Sequence, residues 1–273
     1  MAEVTYTRQG RIARIHVHPP LGLLGQATRR ELHSALLHYR DDGDAWMAVI
    51  SSEGAHFVRG SREPSGGNHR ERRERAKLWG GGFVETWKPT IAAIQGECRG
   101  EGLALGLACD LRIADATATF SADFTGCIEE PDVLAAWLLN LVGAARTFEL
   151  LWLARTLDAA EARRIGLVNR LAVKGEVKAL PAENGRLPME AMGESISVPE
   201  GDALTAALRF AEELLLYAPV TRNFQKEIAY RSIGVPFHYA QTLELGPNPY
   251  ASTDRIEGTR AFVENRRPVW QNK

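Results

Sequence analysis

The stretch from Lys88 to Asp115, KPTIAAIQGECRGEGLALGLACDLRIAD, constrains the fold more than any other part of the chain. It opens with the short apolar run TIAAI, which is typical of a strand buried on both faces. Three glycines follow, Gly96, Gly100 and Gly102, and they predict a tight turn. The small residues after the turn predict a helix from about Gly102 to Ala108, and LRIAD predicts a second strand. A strand, a helix and a strand in succession indicate an α/β fold.

The glycine-rich turn also has a chemical interpretation. Its backbone N–H groups lie at the start of a helix, where the helix dipole favours negative charge. Such a place can stabilise a developing negative charge with main-chain donors and no side chain. A purely structural turn fits the same residues equally well, so the sequence of this segment alone leaves both interpretations open.

The segments before this unit follow the periods of strands and helices. VTYTRQGRIARIHV predicts a hairpin that turns at Gln9-Gly10, ATRRELHSALLHYR predicts an amphipathic helix, and AWMAVIS predicts the next strand. The segment from Pro64 to Gly82 holds the charged run HRERRERAK, and we expect a loop that leads into an exposed helix.

The second half of the chain is expected to be largely helical from Asp158 onward. The segment 174–201 contains three prolines and four glycines, which predicts an irregular inserted loop. ALTAALRFAEELLLYA, TRNFQKEIAYR and STDRIEGTRAFVEN predict three helices that form a C-terminal bundle. We therefore divide the chain into a core domain over 1–200 and a C-terminal helical region over 201–273.

Composition excludes several classes of protein. The 33 basic residues nearly cancel the 34 acidic ones, so neither nucleic acid nor a membrane surface is expected as a partner. No uninterrupted apolar run reaches the roughly 18 residues of a membrane span, and MAEVTYTRQGRI does not read as a secretory leader. Cys98, Cys109 and Cys127 are expected to be buried free thiols in a reducing cytoplasm. The cysteines and the N-terminus together predict a cytoplasmic protein. No His/Cys cluster has metal-ligand spacing, so we expect no metal.

The chain resembles the enoyl-CoA hydratase/isomerase (crotonase) superfamily over most of its length. The likeness covers the glycine-rich unit, the opening hairpin, AVISSEGAHFVRG, TLDAAEARRIGLVNRL and STDRIEGTRAFVENRRPVW. It implies a crotonase-like (ClpP/crotonase) α/β fold, a spiral of repeated ββα units with a C-terminal helical bundle. It also implies an acyl-CoA substrate and no cofactor beyond the CoA moiety of that substrate. The resemblance further implies a homotrimer or a dimer of trimers, with the C-terminal helices in the contacts.

The chemistry of that family passes through a thioester enolate whose oxygen is held by two main-chain N–H groups. The resemblance places one donor at Ser61, in HFVRGSRE, and the other at Glu101, in GEG. The family usually has Gly where Glu101 stands, and a carboxylate beside an enolate opposes it unless the carboxylate points away. Near a helix N-terminus, Glu101 also has the ordinary role of offsetting the helix dipole.

The two glutamates of the family hydratases are replaced in this chain. The corresponding residues are Ala104 and Phe124, and methyl and phenyl groups can neither orient water nor transfer a proton. The run EEPDVLAAWLLNLVGAARTFEL is similar to the phenylacetyl-CoA epoxide isomerases. Dienoyl-CoA isomerases and the 4-chlorobenzoyl-CoA dehalogenase carry their key aspartate at the position that matches Asp132. The resemblance therefore implies that Asp132 is an acid/base group.

Asp132 also has a bottom-up interpretation. It opens an apolar helical run, and apolar surroundings suit a carboxyl group that exchanges protons. After Pro131 it is also placed as a helix N-cap or a first-turn acid, which is a common arrangement and the interpretation that the residues alone favour. Glu130 is a second candidate, with a surface acid as its alternative interpretation.

Recognition of CoA is expected to use main-chain contacts to adenine near Val58 to Ser61, together with the turn at Gly100. Arg59 and Arg62 border the first donor and are candidates for the phosphates. A solvated loop position fits each arginine equally well.

These observations predict an enzyme that moves a double bond in an acyl-CoA thioester, with Asp132 as acid/base. Within the enzymes, the alternative is a hydrolase or dehalogenase that uses Asp132 or Glu130 differently. The alternative outside the enzymes is a binding protein with a crotonase scaffold, whose ligand would be acyl-CoA, an acyl carrier protein or RNA.

Overall fold

The computed structural model describes residues 2–62, 83, 86–123, 131–177, 195–243, 245–246 and 248–273, and at 131–133 it describes the backbone alone. The segment 64–82, predicted as a loop that leads into an exposed helix, lies outside the described residues, as do Phe124, Cys127 and Glu130.

The described part of the chain alternates strands and helices up to β12 and is helical from there on. Its strands are β1 (Val4–Gln9), β2 (Ile12–Val17), β3 (Leu23–Leu24), β4 (Met47–Ser52), β5 (Gly60–Ser61), β6 (Thr90–Ile94), β7 (Glu97–Arg99), β8 (Leu111–Ala114), β9 (Thr119–Ser121), β10 (Thr156–Asp158), β11 (Arg170–Lys174) and β12 (Ser195–Val198). Its α-helices are α1 (Gln26–Asp41), α2 (Glu101–Ala108), α3 (Pro131–Leu153), α4 (Ala159–Arg164), α5 (Ala203–Leu214), α6 (Pro219–Arg231), α7 (Phe237–Ala240) and α8 (Thr253–Val263).

The main sheet has seven strands in the order β1-β2-β4-β6-β8-β11-β12. Its first pair is the antiparallel hairpin of β1 and β2, with Gln9 opposite Ile12, and the remaining neighbours are parallel. A three-stranded sheet, β10-β9-β7, and the short parallel pair of β3 and β5 complete the strand pairing. The predicted α/β class is confirmed by this architecture.

The core lies on both faces of the main sheet. Along β6, Ala92 and Ile94 join the apolar cluster that includes residues of α1 and α2, whereas Ile91 and Ala93 join the cluster that includes α5. This alternation is what a period of two requires of a strand covered on both sides. The continuous apolar run TIAAI is therefore explained, and its predicted strand is confirmed.

The hairpin at Gln9-Gly10, the first helix, the strand within AWMAVIS and the two elements after the glycines all form where the sequence predicts them. The turn between β6 and α2 differs from the prediction. It contains a further strand, β7, which pairs in parallel with β9. Three residues between two glycines carry no periodic pattern, and so the sequence offered no signal for this strand.

The sequence predicts an irregular insertion over 174–201, and the structure differs from this prediction at the end of the segment. Its residues Ser195–Val198 form β12, which pairs in parallel with β11 at the edge of the main sheet. β11 itself lies in the region that was expected to be largely helical after Asp158. The prediction of a loop was wrong for Ser195–Val198. The proline and glycine content of the segment indicated a loop, whereas the strand forms by pairing with β11, which already belongs to the sheet.

The three predicted C-terminal helices exist as α5, α6 and α8. They differ in what they contact. α5 places Ala203, Ala207 and Phe210 in the cluster that covers the main sheet, so it belongs to the core rather than to a separate bundle. α6 is joined to the core by Lys226, whose Nζ lies 2.8 Å from Asp110 Oδ2. α8 holds the end of the chain, since Asp254 accepts hydrogen bonds from the N–H groups of residues 271 and 272.

One described helical stretch, Leu134–Leu153, is long and apolar enough by length and composition to cross a membrane. From the sequence we expected no uninterrupted apolar run of about 18 residues, and this helix meets the criterion by its mean hydropathy over the window. Within it, Gly143 has non-helical dihedral angles (φ 77°, ψ 167°), so α3 is bent rather than one straight rod. The exposed side chains of Leu139, Trp152 and Leu153 contribute to its apolar character. Length and composition alone do not assign this helix to a bilayer.

Candidate functional site

The segment that precedes Ser61 is hydrogen-bonded along its length to the approach to α2. The N–H of Phe57 donates to the carbonyl of Gln95 (2.7 Å), and the N–H of Val58 donates to that of Glu97 (3.1 Å). In return, the N–H of Arg99 donates to the carbonyl of Val58 (3.0 Å). Residues about 40 positions apart in sequence are thereby held side by side, and the two predicted donor loops follow directly after these paired segments.

The second loop leads directly into α2. Gly100 is the N-cap residue, and its N–H donates to the carbonyl of Ser121 on β9 (3.0 Å). Glu101 is the first residue of the helix. Because a helical N–H donates to the carbonyl four residues earlier, the helix itself contains no acceptor for the N–H of Glu101. The position suits a main-chain donor aimed at negative charge.

The side chains of Ser61 and Glu101 meet at a buried arginine on α1. Arg29 donates through Nε to Glu101 Oε1 (2.5 Å), through Nη2 to Glu101 Oε2 (2.8 Å), and through Nη2 to Ser61 Oγ (2.6 Å). All three residues are buried, with Glu101 only 3% exposed. The structure thus brings together the two residues that the sequence singles out as donors.

The carboxylate of Glu101 points toward the guanidinium group of Arg29. A carboxylate at this position opposes an enolate unless it points away. The bidentate pair supplies a counter-charge within hydrogen-bonding distance, which is the geometry that arginine and carboxylate favour.

Sequence reasoning missed Arg29, although a signal was present. Arg29, Leu32 and Leu36 stand at the i, i+3 and i+7 positions of α1, and all three are buried. A basic residue in the apolar stripe of an amphipathic helix requires a buried acidic partner. Its partner, 72 residues away, could not be named from that stripe alone.

Ala104 stands where a family hydratase has a glutamate. It lies one turn into α2, is 6% exposed, and packs in the main apolar cluster. Among the described residues, α2 therefore offers this site no acid other than Glu101. The other replaced position, Phe124, lies outside the described residues.

Asp132 is the second residue of α3, directly after Pro131. Its backbone is helical, and its side chain lies outside the described part of the structure. Glu130 lies outside the described residues altogether. The acid/base role of either residue stays a prediction.

The candidate CoA contacts surround the first loop. Both main-chain groups of Val58 take part in the ladder with residues 97–99. Arg59 pairs through Nε with Glu97 Oε2 (2.6 Å), and Arg62 pairs through Nη2 with Glu3 Oε1 (3.0 Å). Both arginine side chains are over a third exposed, so they are accessible to a phosphate that competes for the acidic partner. Their role in binding CoA stays a prediction.

Two cysteines lie close to α2. Cys98 and Cys109 are buried and free, as the sequence predicts. Burial raises the pKa of each thiol well above its ordinary value. The next cause is the neighbouring thiol of Cys109 in the case of Cys98, and the carboxylate of Asp110 in the case of Cys109. Neither thiol therefore supplies a thiolate nucleophile at neutral pH. In the described ranges, no group of three or more His, Cys, Asp or Glu residues is arranged to hold a metal ion.

Comparison with known proteins gives this geometry a family. Residues 7–184 match the family model described as enoyl-CoA hydratase/isomerase. Carnitinyl-CoA dehydratase of Citrobacter koseri is 27% identical over 98% of this chain and 98% of its own length. The protein of the same name in Escherichia coli strain K12 is 28% identical over 98% of this chain and 97% of its own.

The same likeness extends to three-dimensional structure. The crystal structure of enoyl-CoA hydratase from Bacillus anthracis superimposes with a TM-score of 0.80, at 23% identity over 99% of this chain and 100% of that one. At that identity the match shows the shared fold, and the crotonase-like fold predicted from the sequence is confirmed. Together with the family match, these observations establish that the chain belongs to the enoyl-CoA hydratase/isomerase family.

Proposed function

We propose that this protein isomerises the double bond of an enoyl-CoA thioester, with Asp132 as the acid/base group. The observation that carries the proposal is the arrangement around α2. The Ser61 loop and the first turn of α2 meet at Arg29, while the usual glutamate position is occupied by Ala104. This combination supports a site that stabilises an enolate without holding the water of a hydratase.

The proposed reaction needs only proton transfer. The carboxylate of Asp132 removes a proton from the α-carbon of a 3-enoyl thioester, and the electron pair of that C–H bond moves toward the carbonyl oxygen. The main-chain N–H groups of Ser61 and Glu101 stabilise the resulting dienolate. The protonated Asp132 then returns the proton to the γ-carbon, which leaves a 2-enoyl thioester and regenerates the carboxylate. No cofactor beyond the CoA moiety of the substrate takes part.

The relatives favour a second candidate, addition or removal of water. Two of them are named carnitinyl-CoA dehydratase, and one structural neighbour is named enoyl-CoA hydratase. Ala104 weighs against this candidate, because a methyl group cannot orient or deprotonate water. Hydrolase or dehalogenase activity, or acyl-CoA binding without chemistry, are the further outcomes that an assay distinguishes.

The test is incubation with 3-enoyl-CoA and 2-enoyl-CoA thioesters of several chain lengths, followed by chromatography of the products. We expect migration of the double bond, with neither a 3-hydroxyacyl product nor free CoA. Asp132→Asn should lower kcat by about 10²–10⁴-fold, since it removes the proton carrier. Undiminished turnover by a folded Asp132→Asn protein would contradict the assigned role, and hydrated product would favour the second candidate.

We also propose that the protein assembles in the cytoplasm as a homotrimer or a dimer of trimers. Exposed apolar side chains on two helices support an assembly, among them Trp152 on α3 and Phe262 and Val263 on α8. Light scattering coupled to size-exclusion chromatography measures the mass directly. A monomer at micromolar concentration would contradict this proposal.

A further inference from the structure

The start of α1 is tied to the loop that carries Ser61. The hydroxyl of Thr28, one residue before Arg29, donates to the carboxylate of Glu3. The same carboxylate accepts from Arg62 Nη2 at 3.0 Å, and Arg62 directly follows Ser61. The helix turn that presents Arg29 and the loop that it touches are therefore parts of one hydrogen-bonded network.

The charge of Glu101 makes its pairing with Arg29 consequential. A carboxylate at the start of α2 is close to the place where an enolate oxygen would develop negative charge. Two like charges at about 4 Å repel strongly wherever the effective dielectric constant is low. The guanidinium group of Arg29, 2.5–2.8 Å from both carboxylate oxygens, makes the pair neutral as a whole.

The geometry of the same group also constrains the spacing of the loops. One nitrogen, Nη2 of Arg29, donates both to Ser61 Oγ (2.6 Å) and to Glu101 Oε2 (2.8 Å). A planar guanidinium has little freedom once Nε is also bonded to Glu101. The side chains of the two donor residues are thus fixed with respect to each other.

We infer that Arg29 is a positioning residue for enolate stabilisation: its bidentate pair with Glu101 neutralises a carboxylate that would otherwise oppose the negative charge on the thioester oxygen. The inference rests on the proposed function, because it presumes a thioester oxygen between the two main-chain donors. It predicts that the harm done by losing Arg29 comes largely from the carboxylate that is left behind.

The experiment compares Arg29→Met with the double variant Arg29→Met/Glu101→Gln, which removes both charges at similar volume. Arg29→Lys keeps the charge without the planar fork, and Arg30→Met is the matched control, because Arg30 is the exposed neighbour on α1. Each protein is assayed for kcat and KM on 3-enoyl-CoA. Infrared difference spectra then record the C=O stretch of bound butyryl-CoA labelled with ¹³C at the carbonyl, which reports hydrogen bonding to that oxygen without turnover.

Arg29→Met should lower kcat by about 10²-fold, comparable with the loss of one oxyanion donor. KM should change by less than about threefold, because ground-state binding is largely retained. The C=O band of bound thioester should move back toward its frequency in water. The double variant should regain kcat to within about tenfold of wild type, because the opposing charge is gone. Arg30→Met should match the wild-type values in both measurements.

A folded Arg29→Met protein with the wild-type kcat and C=O frequency would overturn the inference. A folded double variant as impaired as Arg29→Met would overturn it too, since the charge of Glu101 would then not be the cause. If Arg29→Met fails to fold, the double variant decides by the C=O band alone: a wild-type shift supports the inference, and its loss overturns it.

Failure of the proposed function is distinguishable from these outcomes. A wild-type protein that binds no acyl-CoA thioester, or binds one without lowering its C=O frequency, contradicts the proposed function itself. A wild-type protein that lowers the frequency, alongside an Arg29→Met protein that lowers it equally, contradicts only the role of Arg29.

Discussion

Gly102 lies against Val58 so closely that a Cβ atom at residue 102 would stand 2.1 Å from the Val58 carbonyl oxygen and 2.7 Å from the Val58 Cβ. This approach lets α2 begin beside the segment that leads to Ser61. Close contact between these two residues therefore sets the separation of the two donor loops, in addition to the side-chain link through Arg29.

Gly102→Ala should separate the loops, because backbone atoms rather than a flexible side chain would meet the new methyl group. We expect the free energy of unfolding to fall by about 1–3 kcal/mol, the usual cost of overpacking. Turnover per folded molecule should fall by about 10²-fold, since a displacement near 1 Å at the reacting centre has that effect. Urea unfolding and steady-state kinetics measure the two effects.

Gly106→Ala is the matched control on the same helix. A Cβ there would lie 3.3 Å from Ile94 Cδ1, the end of a side chain that can move. Alanine also favours the helix by up to about 1 kcal/mol, which offsets the tight contact. If Gly102→Ala were as stable and as active as Gly106→Ala, the separation of the loops would not depend on the approach to Val58.

Lys226 should contribute to the free energy of unfolding by attaching α6 to the core. Its ammonium group lies 2.8 Å from Asp110 Oδ2 and also donates to the carbonyl of Lys88 (3.0 Å). Lys226→Met would leave the mostly buried carboxylate of Asp110 without its cation, and removing one partner of a buried pair costs about 3 kcal/mol. The loss should appear as a lower denaturant midpoint with an unchanged slope.

Lys174→Met gives the comparison for an exposed pair. Lys174 Nζ lies 4.0 Å from Glu200 Oε2, and both side chains are about four-fifths exposed. Its loss should change the free energy of unfolding by less than about 1 kcal/mol. Equal effects of the two substitutions would mean that the pair of Lys226 and Asp110 is as well solvated as the surface pair.

The elements around the site could be predicted from the sequence because their signals are local. An apolar run of five residues, β6, and a run of small residues after glycines, α2, carry their own patterns. β12 carries none, since Ser195–Val198 becomes a strand by pairing with the edge offered by β11. That edge exists only after the sheet has formed, so composition could not reveal it.

The candidate site divides in the same way. Ser61 and Glu101 were predicted by resemblance to a family, which gives positions along the chain. The link between them through Arg29 is a contact across 72 residues between α1 and α2. Two departures from the expected pattern could be seen in the sequence: Glu101 stands within a glycine motif, and Arg29 stands on the apolar face of a helix. Their pairing was the missing step, because it depends on how the two helices pack.

The stability of the protein should fall in acid as Glu257, which holds the C-terminal segment, becomes protonated. Arg266 and, next, the N–H of Val269 lower the pKa of this carboxyl group from 4.5 to about 2 in the folded protein. Since the folded value is the lower one, the stabilisation is complete above pH 4.5 and is lost as the pH falls toward 2. Glu257→Gln should be less stable than wild type at pH 6 and should show a smaller further loss over that acid range.

Differential scanning calorimetry from pH 6 to pH 2 measures this difference, with Glu212→Gln as the control. Glu212 is an exposed glutamate on α5, 3.4 Å from Arg209 Nη1, so its substitution should leave the acid sensitivity of the melting temperature as in wild type. The gap between Glu257→Gln and wild type should narrow as the pH falls, because protonation of Glu257 makes the two proteins alike. A gap that stays constant down to pH 2 would show that Arg266 and Val269 stabilise the tail without depending on the charge of Glu257.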